Sequence, residues 1–121
     1  MHTIYGIKNC DTMKKAFAWL DQQGVTYSFH DYKKSGIDAA RLHAWNEAVG
    51  WKTLVNTRGT TWRKLPPERQ AIDTAAAAVQ LMQEFPSLIR RPVLETTRGQ
   101  LLVGFDPALY ASLHAPAGTP E

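Results

Sequence analysis

The first seven residues alternate apolar and polar side chains as a strand does, with Ile4 and Tyr5 favouring extended backbone, and beyond them the period changes. Met13, Ala16, Phe17 and Leu20 recur at i, i+3, i+4 and i+7, the stripe of an amphipathic helix. The switch falls at Cys10. Gln22-Gln23-Gly24 supplies a helix stop, after which Val25, Tyr27 and Phe29 share one face of a second strand running to Tyr32. Strand, helix and strand make one βαβ unit, whose crossover should be right-handed and its strands parallel. Cys10 then stands at the carboxyl end of the first strand, where open α/β sheets place their ligands.

Lys33-Lys34-Ser35-Gly36 reads as a loop, and Asp38 is placed to cap a helix that turns Leu42, Trp45 and Val49 inward and stops at Gly50. From Trp51 to Trp62 the chain reads as a polar loop between apolar anchors, with Asn56-Thr57-Arg58-Gly59-Thr60-Thr61 at its centre. Pro66-Pro67-Glu68 marks a short helix start, and Thr74 caps a helix from Ala75 to Glu84 with Ala75, Ala78, Val79 and Met82 on one face, ended by Phe85-Pro86. Pro92 to Glu95 and Gln100 to Phe105 read as strands joined through Thr96-Thr97-Arg98-Gly99, a connection so short that the pair must be an antiparallel hairpin. Asp106-Pro107 opens a last helix to about Leu113, and Ala115 to Glu121 has the composition of a frayed, flexible tail. The pattern predicts an α/β protein: a small mixed sheet in the order β-α-β, several helices, β-β-α, forming a single domain over residues 1–114 with a helical insertion over about 37–86.

Composition narrows the possibilities only in places. A chain of 121 residues is long enough for one real core, and 44% hydrophobic with 21% charged residues is the balance of a soluble globular protein. No run reaches the length of a membrane span and no secretory leader opens the chain, so the expected compartment is the cytoplasm and no membrane partner is expected. The net charge of +3 comes from dispersed basic residues, which favours anionic small molecules over a nucleic-acid footprint. His2, His30, His43 and His114 show no metal-ligand spacing with Cys10, and no bound metal or nucleotide is expected.

The lone cysteine carries the chemistry. At the mouth of a helix a thiol meets unpaired N–H groups and the positive end of the helix dipole, both of which favour thiolate. The alternative is a buried cysteine used as a small hydrophobe. With one cysteine no internal disulfide forms, so any redox cycle borrows its second thiol from another molecule.

The order βαβ–ββα with a cysteine after the first strand resembles a thioredoxin-like fold, and the details resemble the arsenate reductase (ArsC)/Spx family. The opening Tyr5-Gly6-Ile7-Lys8-Asn9-Cys10-Asp11-Thr12, the helical insertion and Leu88-Ile89-Arg90-Arg91-Pro92-Val93 carry the likeness from Met1 to about Leu113. Within the family the chain looks most like the YffB-like branch, which shares the Lys-Asn-Cys-Asp-Thr opening and the stretch from Asn56 to Arg63.

The resemblance implies roles. Cys10 matches the family nucleophile, Arg91 the arginine near it, and Pro92 the proline that thioredoxin-like proteins keep in cis beside the active thiol. Arg58, or by a slip of the alignment Asn56, falls close to a further oxyanion-binding arginine of the reductases. Lys8 and Thr12 lie next to the thiol in sequence and are candidate ligand contacts, against the plainer readings of a solvated charge and a hydroxyl that caps backbone. For Arg91 the plainer reading is a surface charge beside Arg90. Two departures stand out: the reductases' arginine in the last hairpin would fall around Val103-Gly104, where there is none, and the Cys-x-x-Cys usual in Spx regulators has Met13 in its second position. The expected function is a glutathione-dependent thiol oxidoreductase, with glutathione or a similar thiol as co-substrate and an oxidised small-molecule or protein thiol as substrate. An Spx-like binding module that docks on the transcription machinery and a true arsenate reductase are the alternatives.

Overall fold

The computed structural model describes residues 1–114; the expected tail, 115–121, lies outside the described residues. The chain divides into two compact units, one made of Met1–Asp31 with the segment from Arg91 onward, the other of Tyr32–Arg90.

The first unit holds the sheet. Strand β1 (His2–Gly6) leads into helix α1 (Asp11–Gln22) and strand β2 (Tyr27–Asp31), and strands β3 (Val93–Glu95) and β4 (Leu101–Val103) complete the order β2-β1-β3-β4. β1 and β2 run parallel with Ile4 opposite Phe29, as a βαβ unit requires, and β3 and β4 form the expected antiparallel hairpin with Leu94 opposite Leu102. The contact that periodicity does not announce is β1 against β3, antiparallel, with Tyr5 opposite Val93. Ile4, Phe29, Leu94 and Leu102 are thereby on one face of the pleat, and the Met13, Ala16 and Leu20 stripe of α1 belongs to the same core cluster. After β4 the chain forms a one-turn helix, Pro107–Tyr110, opened by the Asp106 cap, then a 3₁₀ turn, Ala111–His114. Tyr110 sits edge-on to both Trp19 and Phe105, and Phe17 is edge-on to Phe29.

Strand ends are tighter than periodicity indicates. Val25 does not join β2, because its N–H donates to the Leu20 carbonyl at 3.0 Å and ties it to the end of α1.

The second unit is built mainly of helices. Lys33 to Ser35, expected as loop, belongs with Tyr32 to a one-turn helix, α2 (Tyr32–Ser35), closed by Gly36 at φ 63 with its N–H on the Tyr32 carbonyl. Helix α3 (Ala39–Val49) follows, with Leu42 and Trp45 buried. The stretch from Trp51 to Trp62 is not one loop. It contains α4 (Trp51–Leu54) and α5 (Thr60–Arg63), because Leu54 and Val55 are buried and Val55 bridges Ile89, which leaves only residues 56–59 as a turn. A short helix, α6 (Pro67–Gln70), precedes α7 (Ala75–Glu84), which buries Ala78, Val79, Leu81 and Met82 and packs against α3. Leu81, outside the expected face, widens the buried stripe of α7.

Both long helices of this unit start at side-chain caps. Asp38 accepts from the Arg41 N–H at 2.7 Å and Thr74 from the Ala77 N–H at 3.1 Å, each satisfying one donor that the helix itself leaves open. Replacing either by alanine should lower unfolding free energy by about 1 kcal/mol in denaturant titrations, with glycine costing less.

Candidate functional site

Cys10 occupies the N-cap position of α1 with extended backbone, φ −140 and ψ 130, and is half-buried against the sheet unit's core. Its carbonyl accepts the Lys14 N–H at 2.9 Å, the first bond of the helix. The side chain closes no conventional cap hydrogen bond. Sulfur is a weak acceptor, and what it receives is polarising N–H···S contact from Met13 and Thr12.

Five influences decide the charge of this sulfur. Burial raises the thiol pKa; against it act the Met13 N–H, the Arg91 side chain donating to the sulfur, the Thr12 N–H and the full positive charge of Arg91. The balance favours thiolate, and the pKa lies below that of an ordinary cysteine. Arg91 reaches this position because the chain before β3 runs beside the end of β1: Tyr5 pairs with Val93, so the residues just before Val93 lie alongside those just after Tyr5. The Arg91–Pro92 peptide is cis, Pro92 is buried, and its carbonyl accepts the Gly104 N–H at 2.8 Å. Val103 and Gly104 thus lie next to Pro92 and bring no cation to it, as the hairpin's sequence indicates.

The remaining candidates are placed differently. Lys8 is exposed on the connection between β1 and α1. Thr12 is exposed too, and its bearing on the sulfur is through its backbone N–H rather than its hydroxyl. Arg58 belongs to the helical unit, exposed in the turn before α5, where its N–H donates to the Asn56 side chain at 3.0 Å. Periodicity treated Met13 only as one residue of the apolar stripe; the hydrogen bond from its N–H is also the largest single influence that favours the thiolate. The sequence signal for that was its place three residues after Cys10. Among the described residues no group of three or more His, Cys, Asp or Glu side chains lies together in a way that would hold a metal ion, and no helix is long and apolar enough to cross a membrane.

Two consequences are measurable. The pH midpoint of iodoacetamide alkylation should lie below the roughly 8.5 of a free cysteine, rise by about half a unit to one unit in Arg91→Ala, and recover in part in Arg91→Lys, which restores charge without the planar fork. Stability should respond to pH with a definite sign. A thiol pKa lower in the native than in the unfolded chain means that the native state binds fewer protons between the two values, so stability rises with pH across that window. That increment is complete above the unfolded pKa and lost as pH falls through the folded one; urea titrations of Cys10→Ser should lack this slope.

The chain is similar to known proteins. Structurally the chain is similar to the YffB (PA3664) protein, with 50% identity and a TM-score of 0.89 over 93% of this chain and 98% of that one. It is also similar to an arsenate reductase (ArsC) related protein from Brucella melitensis, with 51% identity and a TM-score of 0.73 over 95% of each chain. A more distant relative is the global transcriptional regulator Spx of Streptococcus pneumoniae, 25% identical over 88% of this chain and 80% of the regulator. The ArsC family model matches residues 5–113, which takes in Cys10, Arg91 and Pro92, and the chain belongs to the ArsC family.

Proposed function

We propose that the protein is a thiol-dependent oxidoreductase in which Cys10 is the nucleophile and Arg91 holds negative charge beside it. The observation that carries this reading is the convergence of two backbone N–H groups and one guanidinium on a half-buried sulfur. In the thiol–disulfide form of the reaction, the Cys10 thiolate attacks one sulfur of an oxidised substrate RSSR′. A bond from Sγ to SR forms as the S–S bond breaks, and R′S⁻ departs and takes a proton from solvent. The chain offers no second thiol, so an external thiolate attacks the SR sulfur of the mixed disulfide and returns Cys10 as thiolate. A second external thiol then frees RSH, so two thiols are oxidised for each disulfide reduced. Glutathione is the co-substrate the family resemblance implies. Arg58, or Asn56 in its place, is retained from the same resemblance as a further contact for an anionic substrate. Lys8 is assigned a lesser part, as an exposed charge near the entrance of the chain into α1.

Arsenate is the weaker oxyanion candidate. The hairpin supplies Val103 and Gly104 where the reductases have an arginine, so one cation fewer grips the substrate and arsenate turnover should be slow. The match to Spx supports a second reading, a module that docks on the transcription machinery. The two differ in what the thiol does. Capture of partners by a docking module should survive alkylation of Cys10, whereas the enzyme depends on it.

The test is intact-mass analysis of the protein in oxidised glutathione, followed by turnover assays with a mixed-disulfide substrate. A single glutathione adduct on Cys10 is expected, removed by added reduced glutathione, with no turnover in the absence of a small thiol. A chain that never acquires the adduct is not a thiol oxidoreductase of this kind.

A further inference from the structure

Gly6 closes β1 and is buried, with no left-handed backbone to explain a glycine there. Its environment does explain it. A Cβ built on Gly6 would run into the end of the Met13 side chain, meeting Sδ and standing 2.6 Å from Cε and 3.4 Å from Cγ. Ordinary carbon contacts lie at about 3.5–4.0 Å, so the methionine occupies the space that any other residue's Cβ would need. The free end of a methionine normally swings aside at little cost. Met13 has no exposed surface and lies among Ile4, Ala16, Leu20 and Leu94, close-packed neighbours that leave it nowhere to go.

Met13 is also the third residue of α1 and donates its N–H toward the Cys10 sulfur. Cys10 packs against the same core cluster. We propose that Gly6 and Met13 act as a positioning pair: the thioether docked on the bare Cα of Gly6 fixes the first turn of α1 against the end of β1, and so keeps the Thr12 and Met13 N–H groups aimed at the sulfur of Cys10. Neither residue touches substrate. Their effect passes through the orientation of backbone donors, which weaken steeply when misaligned. This inference rests on the reading of Cys10 as the nucleophile.

Cys10 is the sole cysteine, so alkylation of the full chain reports it alone. The experiment measures the pH midpoint of iodoacetamide alkylation beside thermal unfolding for wild type, Gly6→Ala, Gly6→Ala/Met13→Ala and Met13→Leu. Gly6→Ala should raise the midpoint by about half a unit, close to a threefold loss of thiolate at pH values well below it. Removing the methionine side chain makes room for the new Cβ, so the double variant should lie closer to wild type than Gly6→Ala does, although it is less stable. Met13→Leu keeps apolar volume but not the reach to Gly6, and should raise the midpoint by a smaller amount; it serves where Gly6→Ala does not fold. A pair that only fills the core would lower the unfolding temperature and leave every midpoint in place. A depressed wild-type midpoint untouched by these substitutions overturns the inference alone, while a wild-type midpoint at the free-thiol value overturns the reading of Cys10 and this inference with it.

Discussion

A half-buried sulfur keeps a negative charge only where the surroundings return more than burial removes, and that balance governs the sheet-bearing unit. Burial is the largest single influence on Cys10 and it opposes ionisation. No single opposing influence outweighs it. The Met13 and Thr12 N–H groups and the Arg91 guanidinium act in the same direction, and together they shift the equilibrium toward thiolate. Two of these come free with any helix that begins at the cysteine, since the first turn of a helix has N–H groups without partners. The third has to be carried in from far along the chain.

The sheet does that carrying. Pairing β1 with β3 antiparallel, Tyr5 opposite Val93, lays the entry to β3 beside the exit from β1. The Gly104 N–H on the Pro92 carbonyl then anchors the entry from its other side. Arg91 is therefore placed by backbone pairing on two flanks, while its guanidinium remains available to the sulfur. A charge held this way has lost much of its freedom before any substrate arrives, which is the condition under which a guanidinium stabilises an anion most effectively.

How much of this was legible in the sequence follows the range of each interaction. The caps at Asp38, Thr74 and Asp106 and the stripe of α1 depend on residues a few positions apart, and all are visible in the pattern. The turn of helix at Tyr32–Ser35 and the two within 51–63 were hidden, because a single turn has too few residues to establish a period. The neighbour of β1 across the sheet is set by side chains distant in sequence, and alternation in either strand is the same whichever partner it takes. Arg91 was reached only through family resemblance, since arginine before proline carries no local signature of a site. Gly6 was silent for a different reason: a glycine at a strand end reads as punctuation, and only the position of Met13 shows that the missing Cβ is a space already filled.

The same methionine defines what kind of redox chemistry the site supports. Three residues after Cys10, on the first turn of the helix, is where a second cysteine would stand close enough to form an internal disulfide. Here that position points into the core with no exposed surface and is filled by apolar bulk. Residue 13 therefore cannot hold that oxidation as a disulfide with Cys10; in the proposed cycle a bond made to Cys10 is resolved by a thiol from outside. Approach is from the solvent side, where Cys10 is partly open and Lys8, Asn9 and Thr12 are exposed. In the proposed cycle a resolving thiol that arrives as an anion would meet the charge of Arg91 there, so the cation that favours the Cys10 thiolate would also draw in the reactant that restores it.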